Sequence, residues 1–454
     1  MTTKSPYQKP QIIRHMLGVG NRFGPARARR VQGEVEGQPV DDLIKKYGSP
    51  LFVFAERDLR FKARAMRKAF DRRWKRMFYG WSYKTNHLDA VCGIFHQEGW
   101  GAEVVSNAEY AMARRLGCPG ERIIFNGACK PADTLRRAVE DGALIQVDHF
   151  AELALLEDVA AAVGKRARVG LRVNMRVDAA GMVWDRFGFH LESGEPQRAA
   201  RMVVNSKHMT LVGLHCHLGT YVMRTDAYRE SARRLGALML ELERALECRL
   251  DLINLGGGFP SRNAMHSQYE LEYEVPSFEA FAHGIAEELE GAFARRDGEL
   301  PQLALETGRA LVDESGTLLS TVMGTRRLAG GMSRGLILDA GVNLLYTATW
   351  YRHDVQTTSR VTGQLEDTTL YGPLCMAIDC IRRNVLLPPL EAGHTIAIWP
   401  VGAYNVTQWM QFSQMRPACV MVMEDGSVEV IRRAETIDDL KNVERMPEKL
   451  RPSW

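Results

Sequence analysis

The sequence predicts an α/β chain: a (β/α)8 TIM-like barrel with a separate β-rich domain after it. Three observations lead there. Between residues 78 and 306, eight apolar runs alternate with amphipathic helical stretches over roughly 230 residues, which suits a closed barrel better than an open sheet. After about residue 311 the rhythm changes to short apolar runs separated by turns. No G-x-G-x-x-G opens a helix after the first strand, which argues against a dinucleotide fold.

The first 45 residues are polar and rich in Arg, Gly and Pro, and predict an irregular start with one strand near 33–36. Residues 49–54 read as a short strand and 58–74 as a helix. The regular pattern begins with the run FYGWSYKTN at 78–86 and a helical face marked by Leu88, Val91, Ile94 and Phe95. A strand at 102–105 precedes a helix over 108–116 stopped by Gly117; 122–126 then pairs with a helix over 132–140, and 144–148 with one over 151–163. Further strands fall at 169–175, 211–218, 252–255 and 303–306, with helices over 228–246 and 278–294 among their connections. Beyond the barrel, runs at 318–322, 335–338 and 395–400 and a hairpin from 420–423 to 428–431 across Glu424-Asp425-Gly426 define the β-rich part. The expected division is 1–56 contributing to the β domain, 57–313 as the barrel and 314–454 as the β-rich domain.

At 454 residues the chain has room for two sizeable cores, and 45% hydrophobic with 25% charged residues is ordinary for a globular protein. The basic cluster Arg27-Ala28-Arg29-Arg30 lacks the aromatic interleaving of a nucleic-acid face and reads as a solvated arm. Residues 1–20 have no apolar leader pattern, and no run of about 18 apolar residues occurs, so the expectation is a cytoplasmic protein with no membrane partner. Eight scattered cysteines without a CxxC pair speak for reduced thiols and against a disulfide framework or zinc site. His215 and His217 share a strand face, and two ligands do not make a metal site.

Lys84 ends an aromatic run that reads as a buried strand, a costly place for an ammonium. Either its head reaches water, or it forms a Schiff base with a cofactor such as pyridoxal phosphate, for which an apolar setting activates the amine. In a barrel the working groups sit at the carboxyl ends of the strands, where Lys84, His217, Gly256-Gly257-Gly258 and Glu306 all fall. The glycine run is a cradle for a phosphate or a plain tight turn. In Glu306-Thr307-Gly308-Arg309, the carboxylate can keep a pyridine nitrogen protonated and the guanidinium can pair with phosphate, or the two form an ordinary ion pair. His217 stacks on a cofactor ring or is a core histidine; Cys375 is a proton donor or a small thiol; Tyr404 donates to phosphate or packs.

Taken in order, SYKTN with Lys84, GAEVVSNAEY from Gly101, GLHCHLGT from Gly213, NLGGGFP from Asn254, ETGR from Glu306, DAGVN from Asp339, YGPLCMAID from Tyr371 and GAYN from Gly402 resemble one family. It is the pyridoxal-phosphate decarboxylases of the alanine-racemase-like fold, fold type III, which act on diaminopimelate, ornithine, arginine and related amino acids. The likeness runs from about residue 47 to 435. It implies pyridoxal 5'-phosphate as cofactor, with Lys84 as the Schiff-base lysine and His217 stacked on the ring. It assigns Thr220, Gly256, Gly257, Gly258, Arg309 and Tyr404 to the phosphate, with Gly308 in the same cofactor set, and Glu306 to the pyridine nitrogen. It further implies a homodimer with two shared active sites, in which the partner subunit supplies the YGPLCMAID loop and Cys375 returns a proton after carbon dioxide leaves.

The chain departs from that pattern where the substrate is read. The acidic residue usual after the cysteine and the arginine usual shortly after the DAGVN-like segment are here Met376 and Thr347. The expectation is therefore a conjugated amino acid, such as a citryl- or carrier-linked diamino acid, with Tyr351, Asp379 and Arg352 as substrate contacts and Arg360 as a second candidate for an acid group. Two other readings stay open. A racemase needs acid/base groups on both faces of the substrate carbon, which the one-sided Cys375 loop does not offer. A non-catalytic regulatory relative would be expected to lose the lysine or the glycine loop, and this chain keeps both.

Overall fold

The computed structural model describes residues 31–177, 184–263, 265–266, 275–328 and 333–452, so the basic cluster at 27–30 and the extreme amino terminus lie outside the described residues. Eight strands form the first sheet's barrel: Met77–Ser82, Gly101–Val104, Ile123–Phe125, Leu144–Val147, Ala167–Asn174, Met209–His215, Leu252–Asn254 and Gln302–Thr307. Each pairs in parallel with the next. The eighth returns to the first, with Leu303 opposite Met77 and Thr307 opposite Trp81, and closes the cylinder.

Strands buried on both faces read as nearly continuous apolar runs, which is why all eight were visible in the sequence. Outward side chains meet the helical ring: Trp81 stacks on Phe95 of helix Asp89–Gln97 at 3.9 Å between ring centroids. Inward, Ile124, Leu144, Leu252 and Ala304 make a small apolar cluster, with Phe78 and Val212 packed against it. Side chains alternate, so the next inward position along these strands holds Asn126, Gln146, Asn254 and Glu306. The barrel thus carries an apolar plug at one level and a polar layer one step closer to the carboxyl ends.

The second sheet has nine strands. Leu51–Ala55 lies within it, antiparallel to Gly316–Arg327 and parallel to Cys419–Val422, so the chain enters this sheet, leaves to build the barrel and returns. Thr395–Trp399 and the hairpin Cys419–Val422 to Val428–Arg432 also fall where the sequence put them.

Other parts differ from expectation. Residues 40–47 are a helix rather than irregular chain: Val40 and Leu43 are buried, and Asp41, Asp42, Lys45 and Lys46 suit the helix dipole at each end. The strands Asp354–Thr357, Glu366–Tyr371 and Cys380–Leu387 and the helix Glu195–Asn205 add to the predicted elements. Their polar residues, as in EDTTLY, hide the apolar signal that marks a strand buried on both sides. Among the described residues no helix is long and apolar enough to cross a membrane, and no group of three or more His, Cys, Asp or Glu could hold a metal ion. All eight cysteines are unpaired.

Candidate active site

Lys84 lies two residues beyond the first barrel strand, at its carboxyl end. Its Nζ donates to both carboxylate oxygens of Glu103, at 2.8 and 2.6 Å. Glu103 is fully buried on the second strand. Burial works against the Lys84 charge, but Glu103, with Tyr404 and Glu306 further off, outweighs it, so the amine holds its proton more firmly than a free lysine. Glu103 was not singled out in the sequence, although an acid inside a buried strand is itself a signal.

Glu306, at the end of the eighth strand, is also buried. Its Oε1 accepts from Asn126 Nδ2 at 2.9 Å and Asn254 Nδ2 at 2.6 Å, while His215 Nε2 lies 3.4 Å from Oε2. Burial opposes the carboxylate; His215 and Lys84 overcome it, and Glu306 stays ionised well below the usual carboxylate range. Asn126 also donates to Glu103 at 3.0 Å, so one amide joins the two acids. Asn126, Asn254 and His215 are thus further site residues, each reached by the inward alternation of its strand.

His217 stands past the sixth strand, and its Nδ1 accepts from the Gly257 amide at 3.1 Å. Burial, reinforced by Arg172 and Lys84, pushes its pKa well down, so the ring is neutral and flat. Arg172 on the fifth strand is another residue the sequence reading passed over; its Nη1 lies 3.3 Å from Asp148.

The glycine loop is forced by close approach. A Cβ on Gly257 would sit 2.1 Å from the Glu306 carbonyl and one on Gly258 2.3 Å from that of Gly219, while Gly256 and Gly258 have φ of +64° and +95°. Two of its three amides are engaged inside the protein: Gly256 donates to Asn254 Oδ1 at 2.9 Å and Gly257 to His217. Gly308 is tight for the same reason, since a Cβ there would lie 2.0 Å from Thr85 Oγ1, next to Lys84.

Arg309 completes the cup. It is 5% exposed, its Nη2 reaches Thr220 Oγ1 at 3.5 Å, and its Nε and Nη1 have no partner among the described residues. Its guanidinium carbon lies 4.7 Å from the Tyr404 ring centroid, 4.8 Å from Tyr351 and 5.8 Å from Tyr221. A buried cation with two unanswered donors beside a glycine loop fits an anion. Tyr404 is held by its amide, which donates to the Thr85 carbonyl at 2.8 Å.

The sequence of residues 56–313 matches the family model "Pyridoxal-dependent decarboxylase, pyridoxal binding domain". The chain belongs to the pyridoxal-dependent decarboxylases. It is 29% identical over 422 residues to the diaminopimelate decarboxylase of Bacillus subtilis, covering 90% of this chain and 94% of that one. The crystal structure of diaminopimelate decarboxylase from M. jannaschii with L-lysine superposes with a TM-score of 0.85 at 27% identity, over 96% of this chain and 100% of the other. Lysine/ornithine decarboxylase from Vibrio vulnificus shares the fold, with a TM-score of 0.70 at 21% identity over 86% of this chain and 98% of its own. The cofactor is therefore pyridoxal phosphate and the reaction class amino-acid decarboxylation.

The structure brings Lys84, His217, Thr220, Gly256, Gly257, Gly258, Glu306, Gly308, Arg309, Tyr351 and Tyr404 to one mouth. Cys375 and Asp379 belong to a loop of the second sheet, between Glu366–Tyr371 and Cys380–Leu387. Cys375 is exposed and makes no hydrogen bond among the described residues. Asp379 is 3% exposed and accepts from the Val342 amide at 2.8 Å and the Leu374 amide at 2.7 Å. Arg352 donates to the His266 carbonyl at 3.2 Å.

Proposed function

We propose that this protein is a cytoplasmic homodimer that decarboxylates an amino acid whose distal end is conjugated, for example as a citryl or carrier-linked diamino acid. The observation that carries the substrate reading is Thr347. It is fully buried, its hydroxyl lies 2.7 Å from Asn405 Oδ1 and 2.8 Å from His353 Nε2, and it offers no charge to a substrate. Asp379 answers two backbone amides, and Met376 is half-buried and apolar. A free distal ammonium or carboxylate thus lacks a dedicated partner at these positions, while Tyr351 and Arg352 stand near the mouth as contacts for a bulkier polar group.

Within this reading Lys84 would hold the cofactor's aldehyde end, and Arg309, Thr220, Tyr404 and the glycine loop would hold its phosphate. Bound there, pyridoxal phosphate supplies an electron sink for the pair left when the carboxylate departs. Glu306, kept ionised by its asparagines and His215, holds a proton on the pyridine nitrogen. His217 offers a neutral flat face to the ring. Glu103 holds the Lys84 amine in place when it is free. Cys375 of a second copy delivers the proton to Cα from one side, which favours decarboxylation over racemisation.

The relatives named diaminopimelate decarboxylase support a second reading, with meso-diaminopimelate itself as substrate. Carbon dioxide release decides between them. The purified protein is assayed with meso-diaminopimelate, ornithine and lysine, and then with their citryl and acyl conjugates. Turnover of a conjugate at least roughly a hundredfold above the free amino acids supports the proposal. Efficient turnover of meso-diaminopimelate would overturn it.

A further inference from the structure

Asp313 follows the short helix Arg309–Val312, is 1% exposed, and has no part in the chemistry above. Its Oδ2 accepts from Ser261 Oγ at 2.5 Å and from Asn263 Nδ2 at 3.3 Å. Its Oδ1 accepts from the Ala403 amide at 3.2 Å, and its backbone carbonyl from the Gly402 amide at 2.9 Å. The segment it holds is pressed hard onto the barrel: a Cβ on Gly402 would lie 1.9 Å from the Val312 carbonyl. The next residue after Ala403 is Tyr404, whose ring lies against Arg309.

One carboxylate therefore ties together the glycine-loop extension (Ser261, Asn263), the Arg309 turn and the strand end that carries Tyr404. It is a buried anion close to a buried cation. Burial pushes its pKa up, and Arg309 is the strongest influence pulling it back. Yet among the described residues the two form no direct ion pair, which leaves Arg309 Nε and Nη1 unanswered. The guanidinium thus keeps two open donors, with the Asp313 carboxyl one helical turn further along the chain.

We propose that Asp313 is a positioning residue of the phosphate cup that also sets its charge, clamping the Tyr404 segment to the barrel and moderating the hold of Arg309 on a phosphate dianion. This rests on the reading that the cup takes the phosphate of pyridoxal phosphate. A buried carboxylate repels an incoming dianion, and water screens the two poorly. Removing the charge while keeping the shape must tighten phosphate binding and leave ring binding alone.

The test titrates full-length apoprotein, wild type and Asp313→Asn, with pyridoxal phosphate, with pyridoxal, which lacks the phosphate, and with inorganic phosphate as competitor, following absorbance rather than turnover. Asp313→Asn is expected to bind pyridoxal phosphate and inorganic phosphate roughly tenfold more tightly with pyridoxal unchanged. Equal phosphate affinities in the two proteins would overturn the proposal, and so would a parallel loss of all three ligands, the mark of a purely structural residue. Should the asparagine variant fail to fold, Asp313→Ser carries the same expectation; collapse of both would refute the charge role. A wild-type apoprotein that shows no preference for pyridoxal phosphate over pyridoxal would sink the cofactor assignment of the cup instead, an outcome separate from the others.

Discussion

At the barrel mouth the buried carboxylates Glu103 and Glu306 are answered by side chains, whereas in the loop of the second sheet the buried carboxylate of Asp379 answers, among the described residues, only backbone amides. The first arrangement holds Lys84 and Glu306 in their charged forms. The second fixes the shape of a loop and leaves its side chains turned outward, Cys375 and the 55% exposed Ile378 among them. On the proposed mechanism the first region takes its last proton from outside the barrel, and the second carries Cys375, exposed, as the group to give it. In the proposed homodimer a second copy of the chain would supply each with what it lacks.

Lys84→Ala strikes the barrel half and has the largest effect. Carbon dioxide release should fall by roughly 10^4-fold or more, together with the visible absorbance of bound cofactor, and the melting temperature should drop as well, because buried Glu103 loses its cation. A variant retaining even a tenth of the activity would break the contrast, because the mouth would then not depend on its one nucleophile.

Cys375→Ala strikes the loop half, and mixing makes the comparison quantitative. If the two halves of a site come from different copies, Lys84→Ala and Cys375→Ala dimers exchanged at random regain about a quarter of the wild-type sites. Activity that stays at the level of the separate variants, despite exchange shown by mass spectrometry, would place cysteine and lysine in one chain.

The two regions also differ in how much the sequence disclosed. The eight barrel strands stood out because each is apolar on both faces, and Lys84, His217 and Glu306 stood out because they end such runs. Glu103 and Asn126 were passed over: each sits inside a run already read as strand, and only the closing of the cylinder turns both toward the same point. In the second sheet Leu51–Ala55 was placed correctly by its apolar character, while Glu366–Tyr371, whose first four residues are all polar, gave no period to read. Asp379 could be located but not interpreted, since nothing in a sequence says whether a carboxylate faces a substrate or the amides of Val342 and Leu374.

Asp379→Ala probes that last point. It leaves two amides without their acceptor and should destabilise the fold by about 2–4 kcal/mol in urea unfolding, with activity lost in step with loop order. Asp379→Asn, which keeps one acceptor, should cost less. A variant of full stability whose KM alone rises would instead make Asp379 a substrate contact.

The smallest effect separates two acids of the same stretch. Glu103 faces Lys84, while the Glu109 carboxylate accepts from the Val105 amide, at 2.8 Å. Burial, with the nearby Glu103 charge adding to it and the Val105 amide opposing, lifts the pKa of Glu109 from 4.5 to about 7. The folded protein therefore binds a proton that the unfolded chain has released, so folding takes up protons between those values. Stability is fully present below about pH 4.5 on this account and declines as pH rises to 7, by at most about 3 kcal/mol and less because the side chain is partly exposed. Denaturant midpoints measured from pH 4.5 to 7.5 should show this slope in the wild type and lose it in Glu109→Gln, which still accepts from Val105. If the variant keeps the slope, the proton sits elsewhere, and the contrast between an acid answered by a cation and one answered by an amide fails.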